Sequence, residues 1–389
     1  MTRKHWLRTG KSLAQASRKS IFRIDSVRLE RNEGEGAGQG EIRQNGGMKA
    51  TSFFLWCILG TWATLATASW MTSGPDDRGQ TLSQISQETG ELAERVLKAT
   101  VHFVDVSKRD ESGALQRGSG SGFVLDAVRG WVITNHHVAG EPGAVARVRL
   151  QNGVTVDGTV IGADPRIDLA VVRIPEGIAR HQLAWGDSDA LRHGDWVMAV
   201  GNPLGLVGTT SLGVVNGLHR RLDLGPGSLS DFLQCDAFID RGSSGGPLVN
   251  IHGEVVGLNT AIEGQAWQGK GWAVPSHLLR HSVKAILEHG KVQPGWLGLT
   301  PAAVDGSYAR QVKLPTPQGV RVKSIKEGSP AEDAGVQRGD VILEMDGVPI
   351  FTPTQLRARV GVQGPGASIR LVLWRGNQRV PVTLILGQR

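Results

Sequence analysis

Between residues 100 and 275 the chain is a succession of short apolar runs, each closed by turn-forming residues. They read VHFVDV at 101–106, SGFVLD at 121–126, GWVITN at 130–135, ARVRLQNGVTVDGTVIG at 146–162, DLAVVRI at 168–174, WVMAVGNP at 196–203, GEVVGLNTAI at 253–262 and GWAVP at 271–275. Runs this brief, rich in valine and isoleucine, have the length and composition of strands rather than helices. Glycine, at 53 of 389 residues, supplies the turns. Gln151-Asn152-Gly153 sits between two such runs and predicts a hairpin. No period of 20–50 residues repeats, so solenoids and propellers are excluded. The expected fold class is mainly β.

The pattern changes near residue 276. A helix is expected over 276–289, and GKVQPG at 290–295 reads as a boundary. Beyond it the spacing predicts strands at 319–326, 340–345, 368–374 and 379–386, with helices at 330–335 and 353–360. The first of these helices carries a capping box: Ser329 as N-cap, Pro330 at the first position and Glu332 at the third. Before the β-rich region, 82–99 shows helix-like apolar spacing at Ile85, Leu92, Val96 and Leu97, interrupted by Gly90, and 72–81 reads as a polar linker.

The N-terminus has its own character. Residues 1–47 hold ten Lys/Arg against five Asp/Glu and read as a disordered basic leader. Beyond Lys49 the balance is 32 against 31, so the net charge of +7 reflects the leader and gives no support to a nucleic-acid-binding face. Residues 50–75 lack any charged side chain. The stretch from Phe53 to Trp70 is about long enough to cross a bilayer, at ~20 residues. Residues 48–71 therefore read either as a signal anchor or as a cleavable signal peptide with Ala66-Thr67-Ala68 as its small-x-small site. In the second case translation could begin at Met48 rather than Met1. Under either reading the rest of the chain is exported across a membrane. Cys57 lies in this segment and is no partner for Cys235, so no internal disulfide is expected.

Three segments carry chemistry. GSSGGP at 242–247 places serines between glycines, where backbone N–H groups can converge beside an exposed hydroxyl. WVITNHHV at 131–138 puts His136 and His137 at a strand end, and ADPRIDLAVV at 163–172 puts Asp168 just after a proline turn. Each alone has an ordinary structural reading: a Gly/Ser turn, a histidine satisfied by a backbone group, an Asx-turn carboxylate. Together they occur in the order His…Asp…Ser within one β-rich region, which is the chain order of chymotrypsin-type proteases.

Over residues 85–389 the chain resembles the HtrA (high-temperature requirement A) serine proteases. The motifs are GSGFV at 120–124, TNHHV at 134–138, DPRIDLAVV at 164–172, WGDSDALRHGDWVMAVGNPLGL at 185–206, GSSGGPLVN at 242–250, GEVVGLNTAI at 253–262 and GWAVPSHLL at 271–279. GWLGL at 295–299 and GSPAEDAGVQRGDVI at 328–342 complete them. The resemblance implies a chymotrypsin-like double β-barrel at 99–290 followed by a PDZ domain at 295–389. His137 would be the base, Asp168 its orienting carboxylate and Ser244 the nucleophile, with Ser243 where asparagine is usual. Gly242 and Ser244 would supply the oxyanion-hole N–H groups and Ile239 would line the S1 pocket. Arg221 would hold a regulatory sensor position, with the adjacent Arg220 as the alternative one residue away. Trp296, Leu297, Gly298 and Leu299 would form the loop that receives a peptide's C-terminal carboxylate. No cofactor or metal is implied. Partners would be unfolded or regulatory protein substrates, C-terminal peptides at the PDZ domain and two further copies of the chain in a homotrimer. One PDZ domain and the apolar N-terminal segment resemble the membrane-anchored, DegS-like branch, in the periplasm and with the inner membrane as anchor if 50–71 is uncleaved. The competing class is a non-proteolytic chaperone or PDZ-based peptide-binding module.

Weaker signals remain. His277 and His281 stand i,i+4, but HLLRH lacks the glutamate of HExxH and reads as a solvated helix face. GSGSG at 118–122 leads into a strand, not into the helix a phosphate cradle requires.

Overall fold

The computed structural model describes residues 76–109, 115–202, 208–222, 227–240, 242–260 and 269–388. The basic leader and the 48–71 segment lie outside the described residues. So does Cys57. Cys235 is a free, buried thiol, and burial pushes its pKa up to about 12.

The chain enters through helix α1 (Asp76–Ala99), which begins inside the stretch expected to be a linker and runs through Gly90. An exposed interior glycine costs a helix about 1 kcal/mol. Leu92 and Val96 bury against the body of the protein, and each contributes ~1.5–3 kcal/mol, so tertiary burial outweighs the local preference.

Twelve strands follow in two closed six-stranded barrels. The first uses β1 (Thr100–Arg109), β2 (Leu115–Asp126), β3 (Trp131–Thr134), β4 (Val145–Leu150), β5 (Thr155–Asp164) and β6 (Leu169–Arg173) in the order β1-β2-β3-β6-β5-β4. The second uses β7 (Trp196–Gly201), β8 (Thr209–Arg220), β9 (Phe232–Cys235), β10 (Pro247–Asn250), β11 (Val255–Asn259) and β12 (Gly271–Pro275) in the order β10-β11-β12-β9-β8-β7. Closure leaves neither barrel with an open edge. The expected hairpin joins β4 to β5, with Gly153 in the left-handed region. Alternation is visible along β4, whose side chains are successively exposed and buried.

Helix α3 (Ser276–His289) occupies the span its spacing predicts; between it and α1 the only α-helix described is the four-residue α2 (His136–Ala139). The C-terminal domain is a six-stranded antiparallel sheet of β13 (Leu299–Ala303), β14 (Val320–Ile325), β15 (Val341–Met345), β16 (Val348–Pro349), β17 (Ser368–Arg375) and β18 (Gln378–Ile385). It carries α4 (Gly306–Gln311), α5 (Pro330–Asp333) and α6 (Pro353–Val362). At α5 the Ser329 hydroxyl accepts from the Glu332 N–H. The Glu332 carboxylate reaches past the N-cap to the Gly328 N–H at 2.7 Å, one residue earlier than an ideal capping box.

Helix α6 is buried on two sides. Leu356 and Val360 enter the core of the C-terminal domain, whereas Ala358 and Val362 join the cluster built by Leu278, Leu279, Val283 and Ile286 of α3. Helix α6 thereby joins the barrels to the C-terminal sheet.

Candidate active site

Strand β3 ends at Thr134, and the short α2 starts two residues later, so His136 and His137 emerge where a strand turns into a helix. Asp168 ends a single 3₁₀ turn (Pro165–Ile167) and adopts φ 54°, a left-handed backbone that aspartate tolerates better than most residues. That turn aims its carboxylate back at α2. Asp168 Oδ1 accepts the His137 backbone N–H at 2.9 Å, and Oδ2 stands 2.6 Å from His137 Nδ1. The Asp168 carbonyl accepts from His136 N–H at 3.1 Å and from Asn135 Nδ2 at 2.8 Å. Four hydrogen bonds thus hold one aspartate to one helical turn. With Nδ1 facing a carboxylate, the neutral ring carries its proton there and presents Nε2 as an acceptor. His136 is turned elsewhere: its Nε2 meets Glu141 Oε1 at 3.1 Å.

Ser244 lies in the loop before β10, buried like Ser243 to 4 % exposure. Ser244 O accepts from Ser121 N–H at 2.8 Å, Gly245 N–H donates to Asn259 O at 2.9 Å, and Asn259 N–H donates to Gly246 O at 2.9 Å. Gly245, at φ 87°, passes so near the first barrel that a Cβ there would stand 2.3 Å from Thr134 Oγ1. Only glycine fits this approach, and the approach sets the serine loop of the second barrel against the strand end that leads to His137. Gly242 adopts φ 92°. Ile239 is buried among Cys235, Ala237, Leu248 and Ala273.

Arg221 follows the last residue of β8 and is exposed, as is Arg220. In the C-terminal domain, Leu297 is buried and Gly298 turns the chain at φ 80°. The carbonyls of Leu297 and Gly298 accept from Ala331 N–H at 3.0 Å and Lys326 N–H at 2.7 Å. In a trans peptide the N–H points opposite its carbonyl, so the N–H groups of Gly298 and Leu299 turn to the other side of the loop. Trp296 bridges to Gly387 and lies beneath the Lys326 ammonium, 5.2 Å from its ring centre.

Several residues join the barrels to the C-terminal domain in ways the sequence pattern did not signal. Asp189 pairs with Arg359 of α6, both largely buried. His219 Nδ1 meets Asp231 Oδ1 at 3.1 Å, and its Nε2 lies 3.4 Å from Gln355 Nε2. Arg166, held by Asp164, donates to Gly361 O at 2.8 Å. His277 contradicts its expected place on a solvated face. It is packed between Ser188 (Oγ to Nδ1, 3.0 Å), Asp189 (3.3 Å) and Asp231 (3.7 Å). Burial, reinforced by the Arg359 charge, lowers its pKa to about 3 despite the nearby Asp231 carboxylate. The i,i+4 spacing to His281 singled it out, but its partners come from loops distant in sequence.

A trypsin-like peptidase domain matches residues 120–258 and a PDZ domain matches 321–375. The "Periplasmic serine endoprotease DegP" of Salmonella typhimurium is 39% identical over 273 residues, 69% of this chain and 57% of the relative. A "Probable periplasmic serine endoprotease DegP-like" of Rhizobium meliloti is 36% identical over 281 residues, 72% of this chain and 55% of the relative. The chain therefore spans little more than half the length of these curated relatives. Among solved structures, "HtrA-type protease AlgW with tripeptide" is 32% identical with a TM-score of 0.59, covering 77% of this chain and 97% of that one. "HtrA-type protease AlgW with decapeptide" is also 32% identical, with a TM-score of 0.54 and coverage of 77% and 98%.

Proposed function

The chain belongs to the HtrA family, and from that premise we propose that it is a periplasmic, ATP-independent serine endopeptidase cleaving unfolded or regulatory proteins. The observation that carries the reading is the double hold of Asp168 on His137, at its backbone N–H and at Nδ1. A carboxylate in that position keeps the imidazole in one tautomer and stabilises the imidazolium that forms when Nε2 takes a proton. Ser244 attacks the scissile carbonyl as His137 removes its proton. The same proton then passes to the leaving amine, and water repeats the sequence on the acyl-enzyme. The N–H groups of Gly242 and Ser244 receive the developing oxyanion, an interaction typically contributing ~3 kcal/mol per donor. Ile239 lines the S1 pocket and favours small aliphatic side chains. The test is casein hydrolysis by the full chain, its inhibition by a serine-directed fluorophosphonate and its loss in Ser244→Ala. A chain that binds unfolded casein without cutting it is a chaperone or binding module instead.

The C-terminal domain is proposed to bind peptide C-termini at Trp296–Leu299 and to regulate cleavage. Support comes from α6, which packs against the sheet behind this loop and meets the protease barrels through Arg359 and Ala358. A homotrimer and attachment to the inner membrane through 50–71 belong to the same proposal, motivated by family resemblance and by the uncharged N-terminal segment.

A further inference from the structure

A buried side chain of the first barrel reaches into the nucleophile loop. Ser121, on β2, has no exposed surface. Its hydroxyl donates to the Gly242 carbonyl at 2.7 Å and accepts the Asn202 backbone N–H at 2.9 Å. The second bond settles the direction of the first, because a backbone N–H can only donate and the hydroxyl's one proton is then directed at Gly242. Asn202 Nδ2 also comes within 3.5 Å. The backbone of Ser121 is committed as well: its N–H holds the Ser244 carbonyl at 2.8 Å, and its own carbonyl accepts from Thr134 Oγ1 at 2.7 Å. Gly201 makes room for the arrangement, since a Cβ there would stand 2.9 Å from Ser243 Cα and 3.1 Å from Ser121 Oγ.

The carbonyl that Ser121 grips belongs to the 242–243 peptide, which lies between the two N–H groups proposed for the oxyanion hole. Turning that peptide changes ψ of Gly242 and φ of Ser243, and so changes the angle between the Gly242 and Ser244 N–H groups. Glycine at 242, already at φ 92°, offers little steric resistance to such a turn. The peptide is held at both ends: within the loop its N–H, that of Ser243, donates to Asp240 O at 2.8 Å, and from outside its carbonyl is held by Ser121.

We infer that Ser121 is a positioning residue for the oxyanion hole, fixing the 242–243 peptide through its hydroxyl and the nucleophile's own carbonyl through its N–H. The inference rests on the proposed Ser244 mechanism. Its signature is selective. A tetrahedral adduct places an oxygen in the hole, whereas a bound substrate relies on it much less, so losing the hydroxyl lowers kcat and spares KM. A serine that merely packed the barrel would lower thermal stability without this division.

The experiment measures kcat and KM on a chromogenic peptide, and Ki for a peptide boronate that forms the tetrahedral adduct, using the full chain. Ser121→Ala is expected to lower kcat about tenfold or more, from the cost of a stranded buried carbonyl. KM should stay within about twofold, and the boronate Ki should rise by the factor by which kcat/KM falls. A folded Ser121→Ala with unchanged kcat/KM, or with its loss confined to KM, overturns the inference. Should the alanine variant fail to fold, Ser121→Cys, a weaker donor of similar size, is held to the same criteria. Ser244→Ala separates the two levels. If it still hydrolyses, the nucleophile assignment fails whatever Ser121 does. If it is inert while Ser121→Ala matches the parent, the inference about Ser121 alone fails.

Discussion

Asp168 holds His137 because its backbone is left-handed, not because it neighbours the histidine in sequence: 31 residues separate them. Asp168→Asn keeps the shape but replaces one carboxylate oxygen with an N–H donor, which forces the imidazole toward the wrong tautomer. We expect kcat to fall by about four orders of magnitude, as in the triad precedent, with folding unchanged by circular dichroism. At the next loop, Ser244→Ala should abolish hydrolysis. Ser243→Ala should retain most of it, since Ser243 contributes its backbone to a turn through Asp240 O and Gly246 N–H. Active-site titration with a fluorophosphonate reads both. Loss of labelling in the Ser243 variant alone would reverse the assignment. The residue types were legible in the sequence: a serine among glycines, histidines at a strand end, an aspartate after a proline turn. What it hid was the scaffolding, since Ser121, Asn135 and Asn259 are ordinary polar residues whose roles exist only once two barrels close against each other.

At the scale of elements, the alternation of short apolar runs made the barrel strands and the α3 helix readable, because period and turn chemistry are local. Helix α1 starts at Asp76, inside the expected linker, and the burial that steadies it comes from Leu92 and Val96 joining a core cluster built largely from residues distant in sequence. The fate of α3 was also hidden. His277 at its first turn is buried against Asp189 and Asp231, and its folded pKa of about 3 lies well below the ordinary value near 6.5. The unfolded chain takes up this proton as pH falls through ~6.5 and the folded chain does not until about 3. Stability is therefore whole above ~6.5 and is lost progressively as pH falls toward 3, at up to ~1.4 kcal/mol per pH unit for this group. His102, also held below its usual range by burial and the Arg149 charge, adds in the same direction. Urea unfolding at pH 7, 6 and 5 should show this fall, and His277→Gln should make it shallower. Equal slopes in the two proteins would mean that His277 is not the buried proton acceptor.

For the whole molecule, the decisive feature is that α6 serves two domains at once. The residue before the Trp296–Leu299 loop is tied to the end of α6 by Gly295 N–H to Gln363 O at 2.7 Å, and α6 meets the barrels through Arg359–Asp189, Gln355–His219 and Gly361–Arg166. On the proposed reading, a peptide held at the loop would pull on an element that the protease also holds. A ligand shifts the active fraction only by its differential affinity for the two states, so tenfold activation requires at least a tenfold difference, ~1.4 kcal/mol. Peptides with free apolar C-termini should raise hydrolysis of a small reporter, and C-terminal amidation should blunt the effect. The double variant Asp189→Asn/Arg359→Met removes the ion pair without stranding one buried charge. It should change the peptide concentration needed for activation while leaving fluorophosphonate labelling intact. Arg221→Ala should reduce the maximal response instead, since that residue follows β8 on the protease side. Identical dose–response curves for parent, double variant and Arg221 variant would reduce the PDZ domain to a tether that delivers substrate without governing the rate.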